Sequence, residues 1–275
     1  MLNRIFRNRK RAWQPAIPDG QRIYAIGDIH GRLDLFTALV QAIERDNNAR
    51  KPAETTIILL GDLVDRGPNS ARVLGSARAW GKTRNVRFLS GNHEEMFLLS
   101  FYKVTALKSF LKFGGMETLS SYGIDAESMA EMPFEQAQQT LLKAVPREDR
   151  EFMRNFETMI RVGDYLFVHA GIRPKVALNE QAGHDCRWIR EPFLSHEGDF
   201  GLVVVHGHTV TSDVEVRNNR IGIDTGGYMS GVLTAVCLEG AGRALIQTEI
   251  EPAGIKITKR ALETPGAAQE LPGSL

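Results

Sequence analysis

Short apolar runs alternate with polar, glycine-containing stretches along the first hundred residues, three times in the same order. Arg22–Ile26, Thr55–Leu60 and Val86–Leu89 are brief and rich in β-branched side chains, which predicts strands. Each passes into glycine and polar residues: Gly27-Asp28-Ile29-His30-Gly31, Gly61-Asp62 and Gly91-Asn92-His93. After the first, Leu33, Phe36, Leu39, Val40 and Ile43 recur at helical spacing; after the second, Val73 and Leu74 mark a shorter helix beyond Pro68-Asn69-Ser70. Strand, loop and helix in succession predict a layered α/β fold with the polar residues at strand ends.

From Glu94 to Asn155 the period is helical, broken at Gly114-Gly115, Gly123 and Pro133, which predicts a helical insert over about 94–155. Strand-like runs return at Tyr165–Val168, Leu202–Val205, Val214–Arg217, Ile221–Ile223, Val232–Leu238 and Ala244–Ile250, predicting a second, more antiparallel sheet. Residues 21–250 read as one domain, between a basic flexible arm (1–20) and a polar C-terminal tail (251–275).

Composition then narrows the function. The 275 residues, 43% hydrophobic and 24% charged, exclude collagen-like, disordered and disulfide-scaffold classes. With 34 basic and 33 acidic side chains the formal charge is +1, so an anion must be bound locally, and no nucleic-acid partner is expected. No run approaches the roughly 18–20 apolar residues of a membrane-spanning helix, so no membrane partner is expected either. Cys186 and Cys237 are too few for a disulfide framework and suit a reducing compartment. A cytoplasmic protein is expected, and a monomer, since no coiled-coil pattern argues otherwise.

The chemistry gathers at the strand ends. Asp28 and His30 stand two apart, a spacing that sends both side chains the same way. Asp62 closes the second strand, and Asn92 with His93 closes the third. Two later strands run into Val168-His169-Ala170-Gly171 and Val205-His206-Gly207-His208-Thr209, so five of the seven histidines fall in such segments. Carboxylate, imidazole and amide oxygen are ligands for divalent first-row metals. Two aspartates with His30, Asn92, His169 and His208 are too many for one tetrahedral ion and suit two ions sharing an aspartate.

Gly27-Asp28-Ile29-His30-Gly31, Gly61-Asp62-Leu63-Val64-Asp65-Arg66-Gly67-Pro68 and Gly91-Asn92-His93-Glu94 resemble the three signature motifs of the calcineurin-like metallophosphoesterases, in the form found in the phosphoprotein-phosphatase branch. Phe113-Gly114-Gly115, Thr118 to Gly123, His169-Ala170-Gly171, Trp188-Ile189-Arg190, Gly207-His208-Thr209 and Ile223-Asp224-Thr225-Gly226 resemble later motifs of its bacterial and phage members. The resemblance implies a four-layered α/β/β/α sandwich with two divalent metal ions, manganese first, with iron or zinc as the other choices. Asp28 and His30 would hold one ion, Asp62 would bridge, and Asn92, His169 and His208 would hold the second. A metal-bridging hydroxide would attack phosphorus while His93 protonates the leaving oxygen and Asp65 holds His93. Arg66, Arg190 and Asn92 would bind phosphate, with Arg187 as the alternative to Arg190 and Arg173 as a weaker candidate. His206, two residues before the matched histidine, stands outside the ligand positions.

The expected activity is hydrolysis of phosphoserine or phosphothreonine in proteins; the alternative is a symmetrical dinucleoside tetraphosphatase. The tetraphosphatase needs nucleoside contacts, for which Phe101, Tyr102, Lys103, Lys108 and Lys112 are candidates. Phe113 stands where the resemblance implies a polar residue.

Overall fold

A period of two divides the side chains of the inner strands between two cores. In β1 (Gln21–Ile26), Tyr24 and Ile26 face one core while Ile23 and Ala25 face the other; in β2 (Glu54–Leu59), Ile57 and Leu59 oppose Ile58 in the same way. Strands buried on both faces lie in the middle of a stack of layers. The computed structural model describes residues 13–263, so positions 1–12 of the expected arm and 264–275 of the expected tail lie outside the described residues.

The first sheet has the order β11-β10-β9-β1-β2-β3, with β3 at Val86–Phe88, β9 at Thr234–Glu239, β10 at Gly242–Glu251 and β11 at Gly254–Ala261. The strands β1, β2 and β3 run parallel, joined by α1 (Leu33–Ala49) and α2 (Ser70–Gly81). The second sheet has the order β4-β5-β6-β8-β7: β4 Met159–Val162, β5 Tyr165–Val168, β6 Val203–His206, β7 Glu215–Val216 and β8 Arg220–Gly222. Tyr165, Phe167, Val203, Val205, Ile221 and Ile223 fill the core between the sheets. The opposite faces of β5 and β6, Leu166, Val168 and Val204, pack on Cys186 and Ile189 around α9 (Gly183–Trp188) and on Phe193. Helices, two sheets and an outer helical layer make the α/β/β/α sandwich.

Residues 92–154 are helical in the main: α3 (Asn92–Ser100), α4 (Val104–Phe110), a π-turn at Leu111–Gly115, α5 (Met116–Ser121), α6 (Ala126–Ala130), α7 (Phe134–Ala144) and α8 (Arg147–Arg154). Phe97, Phe101, Phe110, Leu119 and Leu141 bury one face of this group against the first-sheet core.

Three expectations shift. The strands after Val232 join the first sheet, because β9 alternates Ala235 and Cys237 against Val236 and Leu238 between the same two cores as β1, and pairs with it antiparallel. The second sheet is therefore mixed, with β5, β6 and β8 parallel. Residues 254–261, expected within the tail, form edge strand β11 along β10; Ile255 and Ile257 turn to the core between polar neighbours, so half the strand reads as solvated. Within the expected arm, Ile17 is buried and its N–H donates to Gly240 O at 2.9 Å, while Ala16 N–H donates to Asp164 Oδ2 at 3.0 Å. A short helix, α10 (Gly227–Ser230), precedes β9, and no helix among the described residues is long and apolar enough to cross a membrane.

Candidate active site

The polar residues sit where the parallel strands end, on loops with unusual backbone. Of six non-glycine residues with positive φ among the described residues, five are His30, Asp62, Asp65, Arg66 and His208, with φ from 46° to 73°. Such strain persists only where the surroundings over-determine it, and it gathers at functional sites. Glu94, wholly buried in the first turn of α3, supplies part of that determination. Its carboxylate accepts from the backbone N–H of Asp62 at 2.9 Å, Leu63 at 2.7 Å and Gly91 at 3.0 Å, tying the second loop to the third. Burial, together with the charge of Asp62, pushes its pKa up to about 7.

Close approach decides two glycines. A Cβ on Gly91 would lie 2.1 Å from Asp62 Oδ1, and one on Gly207 would lie 2.1 Å from Asp28 Oδ1. Neither aspartate could hold its place beside any other residue.

Asp62 is the centre. Its Oδ1 accepts from His93 N–H at 3.0 Å, at the start of α3 where helix N–H groups favour an anion. Its Oδ2 faces Nε2 of His169 at 3.4 Å, of His30 at 3.6 Å and of His93 at 3.9 Å. Burial alone would raise its pKa, but the surrounding imidazoles, His169 foremost, hold it below the usual carboxylate range. Among the described residues, two groups have possible ligand atoms within 4.8 Å of one another: His30, Asp62 and His93, and Asp62, His169 and His208.

Each imidazole is aimed by its neighbours. His30 Nδ1–H donates to Val64 O at 2.8 Å and His169 Nδ1–H to Leu60 O at 2.9 Å, which leaves both Nε2 lone pairs on the cluster, the usual arrangement for metal-ligating histidine. Burial pushes the pKa of both rings down, so both are neutral. His169 Nε2 then faces Asn92 Oδ1 at 3.0 Å and Asp62 Oδ2 at 3.4 Å, three acceptors converging without a proton. His208 Nδ1 lies 2.8 Å from the same Asn92 Oδ1, while its buried Nε2 has no partner and burial lowers its pKa to about 3. Converging lone pairs around a carboxylate are costly alone and fit divalent cations.

The other candidates fall into place unevenly. Asp28 stands outside both groups: its carboxylate accepts from His208 N–H at 3.0 Å, and burial with the charges of Asp224 and Asp62 pushes its pKa well up. Asp65, also buried, is 2.6 Å from His93 Nδ1 through Oδ2. Arg66 reaches His30 Nε2 at 2.8 Å with one terminal nitrogen and His93 Nε2 at 3.0 Å with the other. Arg187 is tied to Glu95 Oε1 at 2.6 Å, and Arg173 to Asp185 at 2.8 Å, whereas Arg190 is exposed and its charge helps lower the pKa of His208. His206 is buried behind the cluster, its Nδ1–H on Gly207 O at 3.0 Å and its Nε2 unpartnered.

Four residues gained no role from the sequence, three of them (Glu94, Trp188 and Asp224) within segments already quoted and Tyr228 just beyond one. Glu94 and Asp224 carry no pattern beyond their motifs. Trp188 donates Nε1–H to Glu95 Oε2 at 2.5 Å and holds its ring 6.4 Å from that of His208. Tyr228 sets its ring edge-on to His30 at 5.3 Å and under Arg66 at 4.7 Å; the glycines around it mask it as an ordinary turn residue.

The profile of a family described as calcineurin-like phosphoesterase matches residues 21–230. A protein of Bacillus velezensis named bis(5'-nucleosyl)-tetraphosphatase PrpE, asymmetrical, is 27% identical over 234 residues, 76% of this chain and 86% of its own. One of Acidovorax ebreus named bis(5'-nucleosyl)-tetraphosphatase, symmetrical, is 30% identical over 187 residues, 66% of this chain and 51% of its own, so this chain spans about half of that relative's length. Among solved structures, a putative diadenosine tetraphosphatase aligns with a TM-score of 0.57 at 18% identity, over 90% of this chain and 98% of its own. The cold-active protein-tyrosine phosphatase of a psychrophile, Shewanella sp., aligns with a TM-score of 0.57 at 18% identity, over 90% and 83%.

Proposed function

Because the chain belongs to the calcineurin-like phosphoesterase family, we propose that its strand-end cluster hydrolyses the phosphoanhydride of a dinucleoside polyphosphate. In this reading Asp28 and His30 would hold one divalent cation and Asn92, His169 and His208 the other, Asp62 would serve both, and manganese is the first choice. When bound, the two cations supply Lewis-acid polarisation of the phosphoryl oxygens and an activated water.

The remaining work belongs to side chains. Burial lowers the proton affinity of His93, but the Asp62 charge and the Asp65 hydrogen bond outweigh it and hold its pKa above the usual histidine value. With Nδ1–H fixed on Asp65, a second proton sits on Nε2, where it is delivered to the leaving oxygen. That proton also ends the contact from Arg66, since two donors cannot share it. The guanidinium is thereby released to the phosphoryl oxygens, which accept its planar fork as charge-assisted hydrogen bonds. Arg190, which has no carboxylate within salt-bridge distance among the described residues, is the second clamp, and Asn92 also lies beside the phosphoryl group.

The observation that carries the choice of substrate is the aromatic surface around the cluster. Tyr228 lies against Arg66 and His30, Trp188 against His208, and Phe113, next to the Gly114 whose carbonyl accepts from Arg66 N–H, is 50% exposed. A base stacked on such a ring gains about 1–3 kcal/mol, and a phosphoserine offers nothing to stack. The names of the tetraphosphatase relatives point the same way. Phosphoserine and phosphothreonine proteins remain the second reading, favoured by the Gly91-Asn92-His93-Glu94 form, and would use the same reacting groups. For either reading we propose a cytoplasmic monomer; the two free cysteines, both buried, suit a reducing compartment.

Diadenosine tetraphosphate and a phosphothreonine peptide, assayed side by side with manganese, decide between them. The dinucleotide is expected to show the higher kcat/KM, and products of two ADP or of ATP with AMP tell symmetrical from asymmetrical cleavage. A higher value for the peptide replaces the first reading with the second.

A further inference from the structure

Asp65 is gripped from two sides. Its Oδ2 meets His93 Nδ1 at 2.6 Å; its Oδ1 accepts the Thr118 hydroxyl at 2.7 Å, and its own N–H donates back to Thr118 Oγ1 at 2.8 Å. Ser70 Oγ stands 3.0 Å from the same N–H and 2.9 Å from the Thr118 hydroxyl. Asp65, Thr118 and Ser70 are all fully buried, and Asp65 has φ of 73°, so these contacts help hold its orientation against the strain. Thr118 belongs to α5, in the helical insert, some fifty positions along the chain from the loop it holds.

The insert meets the loop and the start of α2 around Thr118 and on either side of it: Arg66 N–H donates to Gly114 O at 2.9 Å, Thr118 bonds Asp65 and Ser70, and Ala71 N–H donates to Ser121 Oγ at 3.1 Å. Only the middle one touches the Asp65–His93 pair. Without the Thr118 hydroxyl, Oδ1 is a buried carboxylate oxygen with no donor, a loss that a carboxyl group avoids by rotating or taking a proton. Either change releases His93 Nδ1 and lets the ring turn away from the leaving oxygen.

We propose that Thr118 is the positioning residue that fixes Asp65, and through it the His93 ring, for proton delivery to the leaving group. The inference rests on the role given to His93 above. A β-branched residue suits the task, because its χ1 is held in few rotamers on a helix.

The test uses the full chain with manganese and two substrates: p-nitrophenyl phosphate, whose leaving group needs little protonation, and phenyl phosphate, whose leaving group needs much. Thr118→Val is expected to lower kcat on phenyl phosphate by about 10- to 100-fold and on p-nitrophenyl phosphate by less than about threefold, part of the usual worth of a general acid, with KM unchanged on both. Thr118→Ser restores both rates. Ser121→Ala, which removes a contact of the insert with α2 outside the pair, leaves the ratio of the two substrates at the wild-type value. In the metal-free protein, the downfield imidazole N–H proton of His93, assigned with His93→Asn, is expected to persist in Thr118→Ser and to vanish or move upfield in Thr118→Val. Should the valine variant not fold, Thr118→Ala is read by the same criteria. Equal losses on both substrates, an unmoved N–H signal, or no rescue by serine overturns the proposal. If His93→Asn shows the substrate dependence and Thr118→Val does not, Thr118 alone is wrong; if His93→Asn shows none, the role of His93 falls first.

Discussion

On the first-sheet side of Asp62, the Nε2 atoms of His30 and His93 each meet a donor from Arg66, at 2.8 and 3.0 Å. On the second-sheet side, His169 Nε2 meets only the oxygens of Asn92 and Asp62, and His208 Nε2 meets nothing. One half carries its own stand-in cation on a flexible side chain; the other is a set of bare lone pairs fixed by backbone. A guanidinium that occupies imidazole lone pairs must leave when those atoms take another partner, so the first half is where groups exchange. The second half, lined by neutral buried imidazoles, offers no such substitute and is the more demanding of a metal.

Removing the shared group tests whether the halves are one site. Asp62→Asn is expected to lower kcat/KM on p-nitrophenyl phosphate by about a thousandfold or more, the loss of several kcal/mol of charge stabilisation. Titration calorimetry with manganese should then show both binding events weakened; one event left intact would make the halves independent. Arg66→Lys keeps the charge and loses the fork, and a rise in KM of about tenfold with a smaller change in kcat is expected. A kcat loss alone would mean that Arg66 acts only through His93.

An effect on stability, with none expected on the chemistry, lies behind the second half. Burial holds the His206 pKa down at about 4 against 6.5 in the unfolded chain. The unfolded chain therefore takes up a proton that the folded one refuses. Stability from this residue is full above pH 6.5 and is lost as pH falls toward 4, by up to about 3 kcal/mol. His206→Leu should flatten that part of the melting-temperature profile between pH 7 and pH 5, and an unchanged slope would show that His206 does not carry it.

The loops were legible in the sequence because each ligand type follows an apolar run and a glycine, and both are forced: the strand must be buried, and a Cβ at Gly91 or Gly207 would collide with a carboxylate. What escaped was whatever depends on the partner across the fold. Thr118 is one polar residue on a short helix, and only the docking of the insert puts it against Asp65. The choice between Arg187 and Arg190 turns on Glu95, ninety-odd positions away from either. The second sheet was expected to hold all the later strands, yet β9 carries the same two-sided burial as β1, a property of its neighbours that its own residues do not announce. β11 was hidden by its solvated face.

The proposed ligands span positions 28 to 208 and follow strands of both sheets, and the two His/Asp groups share Asp62. A cation held there would also be a cross-link, added to the apolar packing and to the hydrogen bonds, such as His169 Nδ1–H to Leu60 O and Arg243 Nε–H to the Tyr165 hydroxyl, that already join the two sheets. By mass action, free metal at a hundred times its dissociation constant would add about 2.7 kcal/mol to the folded state. The melting temperature of this protein then becomes a gauge of the metal concentration around it.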